Sequence, residues 1–234
     1  MIQVHPTAFI DPKDFHNHVK FLAPEALRGV GGLLLNLEGK RFINELKTRD
    51  VVSKGIYEQP NHVAFLLLSK DSAMKFGLSA LKFYKFKGFI KEVQIHDRTD
   101  LSPMREAFES LLNQGSELTL PDTFVDNIQQ VLVEYEEGAK QKKDTFGKVV
   151  FPQAESYFID NIYTSDVKGE DYQECSFAVM LITPAIHYTM GGIEIDKDAR
   201  VVSRENSSGY IPNLYAIGEV SGGLHGNNRL GGNS

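Results

Sequence analysis

The stretch that decides the fold is Phe177-Ala178-Val179-Met180-Leu181-Ile182-Thr183-Pro184-Ala185-Ile186-His187-Tyr188-Thr189-Met190-Gly191-Gly192. Its first half is a continuous apolar run, which predicts a buried strand leading into a glycine-rich loop that carries His187. A second glycine-rich segment, residues 225–234, carries Arg229. A single histidine or arginine in a loop is more often solvated or structural, but glycine is favoured where backbone approaches a ligand closely. The two segments together predict a pocket for a flat, negatively charged small molecule.

Upstream of this strand, apolar spacing predicts several helices and a further strand. The run at residues 63–68 has the length of a strand in the middle of a sheet. Residues 138–156 are polar and predict a loop. Helices are predicted from Thr48, from Ser102 and from Pro121, the last two with core-facing residues at helical spacing: Met104, Phe108, Leu111 and Leu112, then Phe124, Ile128, Val131, Leu132 and Tyr135.

The two ends of the chain predict short strands. Residues 1–12 alternate apolar and polar side chains and place His5 at the end of a strand, where it could also simply bond to its own loop. Alternation at residues 193–196 predicts another strand, and residues 200–202 with the polar turn after them predict a hairpin. Residues 214–217 predict a buried strand that ends at Gly218-Glu219.

Composition excludes several classes of protein. The 234 residues carry a net charge of −6, which argues against a nucleic-acid-binding protein. Cys175 is the sole cysteine, so the sequence predicts neither an intramolecular disulfide nor a cysteine-based metal site. No apolar run approaches the roughly 20 residues of a membrane span, and the first residues do not resemble a secretory signal. Both ends of the chain predict that it is a piece of a longer polypeptide.

Three charged or aromatic segments each allow two interpretations. Residues 82–87 alternate lysine with phenylalanine and tyrosine, a pattern that can bind nucleic acid but, in an acidic chain, favours an amphipathic strand or a helix flank. Glu45, Arg49 and Asp50 cluster at a loop-to-helix junction that is either a plain ion-paired junction or part of a site. Glu25 and Arg28 are three apart and share a helix face, as a surface ion pair or as part of a proton relay.

Seven motifs, in order, resemble the soluble, flavin-dependent fumarate reductases of the fungal and protist type, within the succinate dehydrogenase flavoprotein superfamily. The likeness extends over nearly the whole chain. The motifs are His5-Pro6-Thr7, Glu25-Ala26-Leu27-Arg28-Gly29, Arg41-Phe42-Ile43-Asn44-Glu45, Thr48-Arg49-Asp50, His187-Tyr188-Thr189-Met190-Gly191-Gly192, Gly218-Glu219-Val220 and His225-Gly226-Asn227-Asn228-Arg229-Leu230-Gly231-Gly232.

This resemblance implies a fold that combines α/β and α+β parts: a partial, Rossmann-like FAD-binding domain that carries an inserted capping domain. Residues 1–14 and 168–234 are then segments of the FAD-binding domain, and residues 15–167 form the cap. The Gly-x-Gly-x-x-Gly loop that binds the FAD pyrophosphate occurs nowhere in the sequence. The chain is therefore expected to be a fragment that lacks the amino-terminal part of the enzyme.

The resemblance also implies a role for each site residue. Arg229 and His187 hold one carboxylate of fumarate, and His5 holds the other; a guanidinium suits a carboxylate because it bonds bidentately. The implied proton donor is Arg49, reprotonated through Glu25 and Arg28. For FAD, the implied contacts are Glu219 near the ribose and the backbone of Gly232, Asn233 and Ser234 along the flavin. Pro24 departs from the family, in which a threonine hydroxyl often helps to hold the substrate.

Three functions stay open. The first is reduction of fumarate to succinate, with a small dicarboxylate as substrate, FAD as cofactor and an electron donor that these residues do not identify. The second keeps the fold and changes the reaction to another α,β-unsaturated carboxylate or to succinate oxidation. The third is a catalytically inert fragment or interaction module without FAD. The cytoplasm and the mitochondrion both fit the resemblance.

Overall fold

The computed structural model describes residues 2–112, 116–162, 164, 175–226 and 229. They fall into two compact units, one within residues 6–184 and one within residues 1–5 and 185–234. The main elements are β1 (Ile2–Phe9), β2 (Phe21–Leu22), α1 (Ala26–Gly29), β3 (Leu33–Leu35), α2 (Arg49–Tyr57), β4 (Ala64–Ser69), α3 (Lys70–Phe76), α4 (Leu78–Phe86), β5 (Ile90–Val93), α5 (Ser102–Leu112), α6 (Phe124–Gln141), β6 (Phe177–Thr189), β7 (Arg200–Val202) and β8 (Tyr210–Tyr215).

The larger unit is built on a sheet in the order β2-β1-β6-β4-β3, with β5 also paired to β6. β4 lies between β6 and β3, antiparallel to both, which confirms the central strand predicted at residues 63–68. Its side chains alternate between the two faces, as the pleat requires. Phe65 and Leu67 join one apolar cluster, and Leu66 and Leu68 join the other. Both faces of the sheet are therefore covered.

One face of the sheet is covered by the long helices α5 and α6. All nine apolar residues predicted to face the core from these helices are buried. Two details differ from the prediction. The second helix begins at Phe124, three residues after Pro121, and it continues to Gln141, so residues 138–141 are helical where a loop was predicted. At Gly138 an added Cβ would lie 3.0 Å from that of Asp144, so glycine permits the close packing of the chain that follows the helix.

The other face is covered by the shorter helices. α2 begins at Arg49, one residue after the predicted start at Thr48, which occupies the N-cap position. Buried side chains from α1, α2, α3 and α4 join one cluster: Leu27, Val52, Ile56, Ala73 and Leu81. The lysine–aromatic segment is thus confirmed as a helix flank, since residues 82–86 lie in α4. No helix in the described ranges has both the length and the apolar content needed to cross a bilayer.

In the smaller unit the predicted hairpin is confirmed, with β7 and β8 antiparallel. Three other predictions are wrong. β6 continues past Pro184 to Thr189, so His187 lies on a strand and not in a loop; the φ that proline fixes is compatible with an extended chain. Residues 193–196 form only isolated bridges at Ile193 and Ile195. Residues 214–217 are not a buried strand, because β8 ends at Tyr215, is exposed along most of its length and pairs only with β7 among the described strands.

Candidate functional site

Three side chains that can carry positive charge meet in the smaller unit. The rings of His5 and His187 lie with their centroids 5.0 Å apart. Nη1 of Arg229 lies 3.4 Å from Nε2 of His187. These are the three residues expected to hold the substrate, and their sequence positions are far apart. The structure therefore brings the predicted substrate-binding set together.

The position of Arg229 is fixed by neighbouring groups. Its guanidinium carbon lies 4.7 Å from the centroid of the Tyr188 ring, a cation–π distance. The side-chain amide of Gln3 donates a hydrogen bond of 2.8 Å to the Arg229 carbonyl oxygen. Arg229, His5 and Gln3 are all buried. A guanidinium held in this way loses little conformational freedom when it binds an anion, which favours recognition of a carboxylate.

A second polar array lies in the larger unit, where α1 meets the first turn of α2. Nε and Nη2 of Arg49 donate hydrogen bonds of 3.0 and 2.7 Å to Oε2 of Glu25. The other carboxylate oxygen of Glu25 lies 3.8 Å from Nη2 of Arg28, so Glu25 stands between two guanidinium groups. The predicted sharing of one helix face by Glu25 and Arg28 is confirmed. The geometry fits a carboxylate that passes protons between two arginines.

Arg28 is the most buried member of this array, with 2% of its surface exposed. Burial lowers the pKa of the Arg28 guanidinium, and Glu25 offsets only part of that effect. Its Nη1 donates to the backbone carbonyl of Glu45, whereas its buried Nε and Nη2 make no hydrogen bond with any described residue. An arginine with a lowered pKa gives up a proton more readily, which is the property a relay needs.

Sequence reasoning missed the ion cluster behind this array. The fully buried carboxylate of Glu45 accepts hydrogen bonds of 2.8 and 3.0 Å from Arg41 and one of 2.8 Å from Lys148. Arg41 also bonds Asp144 at 2.9 Å. Burial opposes ionisation of Glu45, but Lys148 and Arg41 outweigh it and lower the pKa of the carboxyl. The i,i+4 spacing of Arg41 and Glu45 could have indicated the first pair; nothing in the sequence indicates Lys148.

The residues expected to hold FAD are only partly described. Glu219 is exposed, and its Oε1 accepts hydrogen bonds from the backbone N–H and the hydroxyl of Thr189 at 2.8 and 3.1 Å. Beside it, Gly218 has a positive φ of 74° and open space where a side chain would stand. An exposed carboxylate held in place beside a glycine can accept a hydrogen bond from a sugar hydroxyl, which is the contact expected of Glu219 with the ribose of FAD. Gly232, Asn233 and Ser234 lie outside the described residues.

Comparison with known proteins assigns the chain to a class of flavoprotein. The model of the FAD binding domain family matches residues 1–234, so the chain belongs to that family, and FAD is its cofactor. The predicted fold class, an FAD-binding fold that mixes helices and sheet, is confirmed. Similar structures include the open conformation of a flavocytochrome c3 fumarate reductase, with a TM-score of 0.64 and 28% identity over 99% of this chain and 33% of that one.

Two fungal proteins are similar to the chain over its whole length. It is 38% identical to fumarate reductase 1 of Saccharomyces cerevisiae, over all of the chain and 44% of the relative. It is 35% identical to fumarate reductase of Schizosaccharomyces pombe, again over all of the chain and 38% of the relative. The chain therefore spans less than half the length of these two relatives.

Proposed function

We propose that this chain is the substrate-binding and proton-delivering part of an FAD-dependent enzyme that reduces fumarate to succinate. The observation that carries the proposal is the array of Arg49, Glu25 and Arg28, in which a carboxylate lies within reach of two guanidinium groups. A plain surface ion pair does not require a buried arginine, whereas Arg28 is buried and two of its nitrogens make no hydrogen bond with the residues that the structure describes. The similarity to two fungal fumarate reductases supports the choice of substrate.

In this proposal, the dicarboxylate is held at both ends. Arg229 and His187 bind one carboxylate, and His5 binds the other. Fixing both ends restricts the alkene to one orientation. Positive charge beside a carboxylate stabilises the charge that develops there and makes the alkene carbon β to that carboxylate a better acceptor of hydride. The order already imposed on Arg229 by Tyr188 and Gln3 supports this role.

The proton comes from Arg49 in this proposal. A free guanidinium has a pKa above about 12, so the donor must be reprotonated at once. Glu25 accepts two hydrogen bonds from Arg49 and can return a proton to it. Arg28, whose pKa is lowered by burial, can in turn supply Glu25. Because Glu25 is half exposed, the relay also has access to water.

FAD is held in this proposal by Glu219 near the ribose and by the backbone of Gly232, Asn233 and Ser234. When bound, FAD supplies the hydride from its reduced flavin ring. The protein itself orients the substrate, excludes water and delivers the proton to the alkene carbon that does not receive the hydride.

The test is made in a flavin-loaded protein that joins this chain to the remaining part of the FAD-binding domain. Arg49→Ala should slow reoxidation of the reduced flavin by fumarate by about 100-fold or more, because general acid catalysis contributes that much. The bound FAD should stay, as measured by its visible spectrum. Arg204→Ala removes an exposed arginine and serves as the control. Near-normal turnover in Arg49→Ala would remove Arg49 as the proton donor.

Pro24 favours testing a second substrate class. It stands where the family often has a threonine, and it offers neither a side-chain hydroxyl nor a backbone N–H. A screen of α,β-unsaturated carboxylates against the reduced protein, together with succinate oxidation in the reverse direction, separates the two substrate assignments. Fumarate should be the best oxidant; faster turnover of another enoate would change the assigned substrate and leave the fold and cofactor unaffected.

A further inference from the structure

The larger unit carries an exposed group of phenylalanines and lysines that the proposed function does not use. We name it the Phe–Lys patch: Phe21, Lys82, Phe83, Phe86 and Lys87. Phe21, on the edge strand β2, is 48% exposed, and Phe83 and Phe86, on α4, are 49% and 85% exposed. Nζ of Lys87 lies 5.8 Å from the ring centroid of Phe21 and 5.7 Å from that of Phe83, so the strand and the helix contribute to one surface.

The helix spacing keeps the patch together. Lys82 and Phe86 are four residues apart, as are Phe83 and Lys87, and such pairs lie on the same side of a helix. The opposite side of α4 is anchored by Leu81, which is fully buried. The outer side of an ordinary amphipathic helix is polar, whereas the outer side of α4 carries aromatic rings as well as charge.

The segment that contains α4 is rich in lysine, and one of these lysines, Lys85, pairs with Glu92 of β5. Residues 72–91 contain five lysines, no arginine and no acidic residue, in a chain whose net charge is −6. A cationic, aromatic surface on an acidic protein is complementary to an anionic partner. Protein–protein interfaces are enriched in aromatic residues and arginine but depleted in lysine, so it is the lysines of the patch, and not its phenylalanines, that favour a partner other than a protein.

We infer that the Phe–Lys patch docks the chain onto an anionic lipid surface. Phenylalanine side chains enter the boundary between headgroups and acyl chains, and lysines on long apolar stems extend to anionic headgroups around them. Nucleic acid fits the patch less well. Stacking of bases needs accessible ring faces, and the Lys87 ammonium already lies near the rings of Phe21 and Phe83. That leaves Phe86 as the one ring of the patch open to a base, whereas insertion into a lipid boundary needs only exposed apolar area. Such docking is peripheral and reversible, and it is independent of the enzyme activity proposed above.

The experiment is co-sedimentation of the 234-residue chain with vesicles. The chain should pellet with vesicles of phosphatidylcholine and phosphatidylserine, more weakly with phosphatidylcholine alone, and less as salt is raised. Phe86→Ser should weaken binding to the anionic vesicles by about ten-fold, since it removes one inserted ring. The double change Lys82→Gln and Lys87→Gln should weaken it by about 25-fold, at about five-fold for each lysine.

The matched controls are changes of the same kind elsewhere in the larger unit. Val150→Ser alters another exposed apolar residue, and Lys54→Gln alters another exposed lysine. Both should bind like the unchanged chain, and thermal unfolding should show that all variants fold. Equal pelleting with neutral and anionic vesicles, unchanged binding in the patch variants, or binding to a single-stranded oligonucleotide without binding to vesicles would each overturn the inference.

Discussion

Two buried tyrosines in the same core differ in the hydrogen bonding of their hydroxyl groups. Tyr157 is fully buried, and its hydroxyl lies 2.9 Å from the Gly31 carbonyl oxygen and accepts a hydrogen bond of 3.0 Å from the Ser69 N–H. Burial raises its pKa to about 12. Tyr135 is equally buried, but its hydroxyl has no hydrogen-bond partner among the described residues. Its ring instead faces the cations of Lys148 and Arg41. Nζ of Lys148 lies 4.9 Å from the ring centroid, and the guanidinium carbon of Arg41 lies 5.1 Å from it.

Removing the two hydroxyl groups should therefore change stability in opposite directions. Tyr157→Phe leaves a backbone N–H without its acceptor, and we expect it to lower the free energy of unfolding by about 1–3 kcal/mol. Tyr135→Phe removes an unsatisfied hydroxyl and keeps the ring, so we expect an increase of about 1 kcal/mol. Urea denaturation of the chain measures both, with the slope of the transition unchanged. Equal destabilisation by the two substitutions would contradict this account.

At the scale of elements, the buried ions join parts of the larger unit that are distant in sequence. Glu45 precedes α2, and Lys148 and Asp144 follow α6. Because the same Glu45 residue offers its carbonyl oxygen to Arg28, the cluster also holds one end of the proposed relay. Buried ion pairs contribute little net stability compared with apolar residues, but breaking one leaves an uncompensated charge. The cluster is best understood as a device that fixes the position of these segments.

Glu45→Gln should accordingly lower the free energy of unfolding by about 3–5 kcal/mol, because Arg41 and Lys148 lose the charge that offsets their burial. The control is Glu38→Gln, which breaks the exposed pair of Glu38 with Lys40 and should cost no more than about 1 kcal/mol. Both values come from chemical denaturation of the chain at neutral pH. A cost for Glu45→Gln as small as that of the control would show that the cluster relaxes or admits water.

The same cluster predicts a dependence of stability on acid. The pKa of Glu45 is lowered from its ordinary value of 4.5 in the folded protein, so the unfolded chain binds more protons there. The stabilisation is complete above pH 4.5 and is lost as the pH falls through the folded-state pKa. Glu45→Gln should flatten this acid limb of the stability–pH profile, and an unchanged acid limb would assign the loss to other carboxylates.

The accuracy of prediction from sequence also depends on the kind of element. α5 and α6 were predicted with their buried faces because each satisfies its pattern locally, within a few turns of helix. The extension of β6 to Thr189 was missed, since Pro184 is a local breaker that pairing in a sheet can override. The apolar run at residues 214–217 predicts a buried strand, but β8 is exposed, because an apolar run carries no information about what covers it. Lys148 was missed for a related reason: its partner is distant in sequence.

At the scale of the whole molecule, the smaller unit carries much exposed apolar surface. Ile217 is 78% exposed, Tyr215 61% and Leu224 60%. Single exposed apolar residues are ordinary, but several in one small unit indicate a surface that another segment covers. The relatives are more than twice as long as this chain, which covers 44% and 38% of them. We propose that the rest of an FAD-binding domain is the segment that covers this surface.

We therefore expect the chain by itself to bind FAD poorly. Its sequence contains no Gly-x-Gly-x-x-Gly loop, so the pyrophosphate lacks the helix N-terminus that normally binds it. The purified chain should be colourless, and added FAD should keep the fluorescence of the free cofactor. Joined to the part of fumarate reductase 1 of Saccharomyces cerevisiae that lies outside its match to this chain, the same chain should become yellow, and Glu219→Gln should then weaken FAD retention. Stoichiometric FAD on the chain alone would mean that residues within these 234 hold the pyrophosphate in another way.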